Sequence, residues 1–276
     1  MTGLRQLQLV EVDLIRLFAD ICEKEGLRYY ILGGTMLGAI RHKGYIPWDD
    51  DADVALPRAD YEKFLDVSKK YLPEGYYVED YKSCPEYRHY PSLLASSKSK
   101  VRVFAAAEEF EKDAWIDIFP LDGMPNNKLL NRIHGLRLTL LRGLFLISVF
   151  DLVSVNRSSR KWYEKAAVSL CRRIPLQKLL NTEKRLNAID RALKKYPYEE
   201  SDYLVNFMGA YRLREMFRKE VFGEGQPYDF EGMKLNGPQD YHAYLTQLYG
   251  DYMVPPPESE RNHHSTEVIE SGEDGE

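Results

Sequence analysis

Gly33-Gly34-Thr35 stands sixteen residues ahead of Asp51-Ala52-Asp53, and this pairing constrains the chain more than anything else in it. The run before the glycines, Leu27-Arg-Tyr-Tyr-Ile-Leu, is aromatic and aliphatic and reads as a strand. Thr35 is the expected N-cap of a short helix over 36–42. Lys43-Gly-Tyr-Ile-Pro-Trp48 follows as a loop, and Asp51–Leu56 alternates like the next strand. Residues two apart on a strand share a face, so Asp51 and Asp53 point one way while Ala52 and Val54 pack the other. Neighbouring carboxylates repel unless a cation lies between them, and an oxygen-only donor set suits Mg²⁺ or Mn²⁺. Gly33 and Gly34 allow close approach of the backbone to a phosphate, and the helix start behind them offers N–H groups to the anion. Strand, Gly-Gly-Thr, helix, loop and Asp-x-Asp strand in this order are the parts of a nucleotidyl- or phosphoryl-transfer site. Either half alone is weak, because acidic loops are commonly solvated and Asp-x-Asp also serves sugar-nucleotide glycosyltransferases.

A third carboxylate comes from Trp115-Ile-Asp117-Ile-Phe-Pro-Leu-Asp, which reads as a strand with Ile116 and Ile118 toward the core. Asp122 falls in an expected turn, Leu121–Pro125, and is the weaker ligand. The chain opens on an amphipathic helix through Leu7, Val10, Leu14, Leu17, Phe18 and Ile21, which Gly26 ends. A second follows over Arg58–Tyr71, with Tyr61, Phe64 and Leu65 inward. Strands are expected at 76–81 and 100–105, and a small hairpin strand at Asp229–Leu235. Pro238 marks a late helix start and Gly250 its end.

Charge is uneven. Residues 126–195 hold sixteen Lys or Arg against four Asp or Glu, and the segment after 258 is acidic, rich in Ser and Gly, and expected to be disordered. Three scattered cysteines without C-x-x-C exclude a disulfide framework and a zinc knuckle. No ~20-residue apolar run exists, and the first eight residues lack a signal-like pattern, so a cytoplasmic setting is expected.

The run from Gly33 through Arg41-His42-Lys43-Gly44 and Pro47-Trp48-Asp49-Asp50-Asp51-Ala-Asp53-Val resembles the signature of the LicD family. Trp115–Gly123 is similar to its second motif. Leu248-Tyr-Gly-Asp-Tyr-Met-Val-Pro-Pro, followed by His263-His264, is similar to its C-terminal signature. The resemblance implies an α+β, nucleotidyltransferase-like (polymerase-beta-type) mixed sheet flanked by helices. The catalytic core would span 1–125, a basic helical insertion 126–225, a C-terminal hairpin and helix 226–258, and the acidic tail 259–276. It also implies transfer of a phosphorylated alcohol, typically phosphocholine from CDP-choline, onto a sugar hydroxyl of a teichoic-acid, lipopolysaccharide or capsule-type glycan. By the family pattern Asp51, Asp53 and Asp117 hold the metal, and Gly33, Gly34 and Thr35 cradle phosphate. Arg41, Lys43 and His42 would face the leaving nucleotide. His42 is equally readable as a structural loop residue. Trp48 either stacks on a base or a choline-type cation or plugs the core. Asp50, His263 and His264 are substrate-side candidates, with a mobile tail as the plainer reading of the two histidines.

Three rivals stand against this reading. A Mn²⁺-dependent glycosyltransferase explains Asp-x-Asp but neither Gly33-Gly34-Thr35 nor Asp117. A nucleic-acid-modifying enzyme would use the basic middle, but no RNA-binding module is visible and nucleic acid is not an expected partner. A decayed scaffold would not keep all three acids. Leu136–Val155, apolar with interspersed arginines, is expected either as a core helix or as an interfacial helix at the inner membrane face.

Overall fold

The apolar positions of the opening segment fall on one helical face, and the computed structural model buries that face. Helix α1 (Gly3–Glu25) places Leu7, Leu14, Phe18 and Ile21 inside. Gly26 follows at φ +64°, a left-handed conformation that glycine adopts without a Cβ penalty. The structure describes residues 3–84, 86–105, 108–149, 180–258, 261 and 266–271. Strand β1 (Tyr30–Ile31) leads into α2 (Gly33–Arg41), and β2 (Asp53–Pro57) runs straight into α3 (Arg58–Val67). Next come β3 (Tyr76–Glu79) and two long strands, β4 (Ser92–Ala105) and β5 (Glu108–Met124). Helices α4 (Lys128–Ser148) and α5 (Thr182–Leu193) precede β6 (Tyr203–Val205), β7 (Met216–Arg218) and the single turn α6 (Lys219–Phe222). A hairpin of β8 (Gln226–Phe230) and β9 (Met233–Gly237), helix α7 (Tyr241–Tyr249) and β10 (Thr266–Ser271) complete the described elements.

Eight strands form one mixed sheet in the path β1-β2-β5-β4-β10, with β3 also on β4 and β6 and β7 continuing from the end of β5. Only β2 and β5 pair in parallel among these strands. One core cluster joins Phe18, Met36, Val54, Phe64, Ile116, Ile118, Tyr244 and Leu245. A second joins Leu93 and Met124 to Leu138 and Phe145 of α4 and Leu186 and Ile189 of α5. Burying such side chains supplies ~1.5–3 kcal/mol each, which sets the sheet before any site chemistry is considered.

Several expectations change. The segment expected as a turn at Leu121–Pro125 continues β5 through Met124, because Asp122 is buried and pairs with Arg58 at 2.6 and 2.7 Å. Arg58 also reaches Asp190 and Tyr90, so one guanidinium joins α3, β5 and α5. Helix α7 starts at Tyr241 rather than at Pro238, capped by Asp240, whose carboxylate accepts the Ala243 N–H. Gly250 ends it, as expected, at φ +68°. The basic helical region is not wholly helical, since β6 and β7 within it join the main sheet. The tail expected to be disordered supplies β10, paired antiparallel with β4. Residues 150–179, including the end of the expected Leu136–Val155 helix, lie outside the described residues, as do His263 and His264.

Candidate active site

Parallel pairing of β2 and β5 sets Asp53 directly opposite Asp117. Neighbouring strands lie ~4.8 Å apart, so two residues 64 positions apart in the chain become adjacent carboxylates. The ladder is anchored on both sides: Leu32 N–H donates to Asp53 O at 3.0 Å, and Asp117 N–H donates to Ala52 O at 2.9 Å. Asp51 lies just before β2 and adds its charge to the group. Burial, reinforced by Asp51, Asp117 and Glu215, pushes Asp53 well above the usual carboxylate range. Burial also pushes Asp117 up to about 7, against the opposing pull of Lys112 and a hydrogen bond from Trp115.

Thr35 is not the helix cap. Leu32 holds that position, and Thr35 Oγ1 accepts the Asp53 N–H at 2.9 Å, which ties α2 to β2. The glycines serve the acids as well as any phosphate. A Cβ on Gly33, at φ +50°, would stand 3.1 Å from Asp53 Oδ2, and one on Gly34 would stand 2.5 Å from Asp49 Oδ2. The Gly33 N–H already donates to the Tyr244 hydroxyl at 3.0 Å. Beneath the acidic loop, Gln8 of α1 donates to Asp49 O at 2.9 Å and to Ile46 O at 3.3 Å. The buried Glu11 beside it is raised well above its ordinary range, mainly by burial and further by Asp51, Asp50 and Asp49.

A cleft of about 560 Å³ opens over this floor. Of the expected site residues, Gly33, Gly34, Arg41, Trp48, Asp51 and Asp53 line it. Asp117 stands beside Asp53 without lining it, and Asp50 is buried in the loop. His42 and Lys43 are not brought to the cleft. His42 packs edge-on to Trp48, with its pKa lowered by burial and by Arg41, while Lys43 turns the loop at φ +59° and its carbonyl accepts the Glu231 N–H. Trp48 leans on the core and carries the protein's own cations, the Arg261 guanidinium at 4.1 Å and that of Arg41 at 5.9 Å. Arg41 also donates to Tyr252 O at 3.0 Å.

The opposite wall was not legible in the sequence. Glu215 lines it, buried, with its carboxylate accepting from Asn206 Nδ2 and Tyr211 N–H, both at 2.8 Å. Burial raises its pKa to about 7. Tyr211 and Tyr249 meet edge to face at 5.7 Å in the same wall. The C-terminal signature, Leu248–Pro256, was the only signal that pointed to this side.

Among the described residues no three His, Cys, Asp or Glu side chains close into one metal-binding group. The expected set of Asp51, Asp53 and Asp117 brings three interacting carboxylates together. The donors still fit a hard cation, because Mg²⁺ is commonly held by one or two carboxylates, with water and substrate phosphate filling the rest. The raised pKa values of Asp53 and Asp117 come first from burial and then from neighbouring carboxylates, a setting that a bound cation would relieve.

Comparison with known proteins agrees with this arrangement. Residues 26–131, which carry both acid-bearing strands, match the family model described as LicD/FKTN/FKRP, nucleotidyltransferase domain. The chain is 33% identical over 117 residues to mouse ribitol 5-phosphate transferase FKRP, covering 42% of this chain and 18% of that one. It is 26% identical over 172 residues to an uncharacterized protein of Rickettsia typhi, covering 62% and 52% of the two chains. With lipopolysaccharide cholinephosphotransferase LicD of Haemophilus influenzae the identity is 31% over 96% of this chain and 97% of the relative, and on that near-complete match the chain belongs to the LicD family.

Proposed function

We propose that the chain is a cholinephosphotransferase with a nucleotidyltransferase-like core. It moves phosphocholine from CDP-choline to a sugar hydroxyl of a lipopolysaccharide-type glycan. The observation that carries the reading is the pair Asp51 and Asp53 lining the cleft, with Asp117 directly opposite Asp53 on the next strand, in a chain that matches a cholinephosphotransferase nearly end to end.

The acceptor oxygen attacks phosphorus, the bond from phosphorus to the CMP oxygen breaks, and CMP leaves with its phosphate. Asp51 and Asp53 would hold a divalent cation, which would supply neutralisation of the phosphate charges. Asp117, with a pKa near neutrality, takes the proton of the attacking hydroxyl. Arg41 faces the donor phosphates from the cleft wall. The trimethylammonium group meets the rings of Tyr211 and Tyr249 beside the Glu215 carboxylate, where cation–π attraction contributes ~0.5–2 kcal/mol. Trp48 is unsuited to that task because arginines already occupy its ring.

The test is donor-dependent release of nucleotide with a glycan acceptor and Mg²⁺, comparing CDP-choline, CDP-ribitol and UDP-sugars. A choline-bearing product from CDP-choline is the expected result. Turnover of UDP-sugars alone would replace this reading with the glycosyltransferase one.

A further inference from the structure

Helix α4 carries a row of aliphatic side chains outward. Leu129, Ile133, Leu136, Leu140 and Leu144 recur at intervals of three and four, so they form one stripe along the helix. All five are exposed, Leu136 by 66% and Leu140 by 71%. The positions that pack inward, Leu138 and Phe145 among them, lie on the other side. At 3.6 residues per turn, Arg137 falls along one edge of the stripe, and Lys128 and Arg132 along the other. No Asp or Glu occurs anywhere in α4. Apart from Leu9, the exposed large hydrophobics of the described residues lie on α4 or in the two segments that bring Tyr211 and Val254 to the cleft. Arg142, on the inner side of α4, donates to Phe207 O at 2.6 Å and to Gly209 O at 3.0 Å, which ties the helix to the cleft wall.

We propose that this face of α4 docks on an anionic lipid bilayer. An apolar stripe edged by cations on both sides suits a membrane boundary: the leucines enter below the headgroups while Lys128, Arg132 and Arg137 meet lipid phosphates. No described helix is long and apolar enough to cross the bilayer. A second copy of the chain fits the face poorly. A twofold contact would bring basic edges together with no acidic group on α4 to pair them. Docking through α4 holds the cleft wall near the surface, where a lipid-borne acceptor is presented.

The test is co-sedimentation of the full chain with vesicles of phosphatidylglycerol and phosphatidylethanolamine, against vesicles of phosphatidylcholine alone. Binding to the anionic vesicles is expected, weakening as salt shortens the screening length to ~10 Å near 0.1 M. Leu136→Glu with Leu140→Glu, and separately Arg132→Glu with Arg137→Glu, are each expected to lower the partition coefficient at least about tenfold. Melting temperatures should hold, since all four side chains are exposed. Absence of binding at low salt, or wild-type binding by both variants, overturns the proposal. So does a leucine variant that melts lower while the arginine variant still binds, because the stripe would then be covered by this chain itself. A dimer that the leucine pair splits, without lipid binding, would assign the face to a second copy.

Discussion

Replacing Asp117 by Asn should make the protein more stable and inactive at once. Asp117 is half-buried opposite Asp53, and its carboxyl is raised to about 7 mainly by burial, with Asp51 adding to the effect. A carboxyl whose folded pKa exceeds its unfolded value of ~4 stabilises the fold fully only below pH ~4. That contribution is lost as pH rises through about 7. At ~1.4 kcal/mol per tenfold, the ionised group at pH 8 would cost ~4 kcal/mol if fully dry. The partly exposed edge screens it, and ~2 kcal/mol is the expected gain from Asn, or roughly 4–6 °C in melting temperature. Asn keeps the shape but loses the charge and the proton acceptor, so turnover should vanish. The assay is thermal unfolding from pH 4 to 8 in EDTA, repeated with saturating Mg²⁺, alongside transfer activity. The stability difference should be absent near pH 4, grow toward pH 8, and shrink when Mg²⁺ neutralises the wild-type acids. A variant no more stable than wild type at pH 8 without metal would refute the argument from the buried charge, and retained turnover would remove Asp117 from the chemistry.

Three further outcomes follow from the same geometry. Asp51→Asn and Asp53→Asn should each abolish transfer at saturating Mg²⁺ while circular dichroism stays native, and near-normal activity in either would exclude that side chain. Gly34→Ala would drive a Cβ against the Asp49 carboxylate, 2.5 Å away, so turnover should fall by about a hundredfold with little change in melting temperature. Arg41→Ala should raise the donor Michaelis constant at least roughly tenfold, the size of a lost charge-assisted hydrogen bond of ~1.5–3 kcal/mol; an unchanged constant would leave Arg41 only its bond to Tyr252 O.

Local patterns carried a large part of this protein in its sequence. The inward face of α1, the glycines that open α2, the alternation that sets Asp117 apart from the buried Ile116 and Ile118, and the end of α7 at Gly250 are all periodic or conformational signals. Such signals act within a few residues, so they survive in a linear reading. The reading failed where a partner distant in sequence decided a local outcome. Leu121–Pro125 looks like a turn from its Asp-Gly, yet it stays in the sheet because Arg58 pairs with Asp122 in the core. Thr35 looks like a cap, yet its hydroxyl serves Asp53.

Tertiary structure alone decided which groups meet. The facing of Asp53 and Asp117 depends on the register of two strands separated by α3, β3 and β4, and register is set by the packing of whole faces rather than by the residues that use it. Glu215, Asn206 and Tyr211 come from short or irregular segments and Tyr249 from the end of α7, and they reach the cleft only because β6 continues the sheet from β5 and α7 packs behind Gly33. The outward stripe of α4 was open between core and surface in the sequence, since leucines at helical spacing suit either. Arg142 and the inner residues Leu138 and Phe145 fix the helix orientation, and that orientation turns the leucines out.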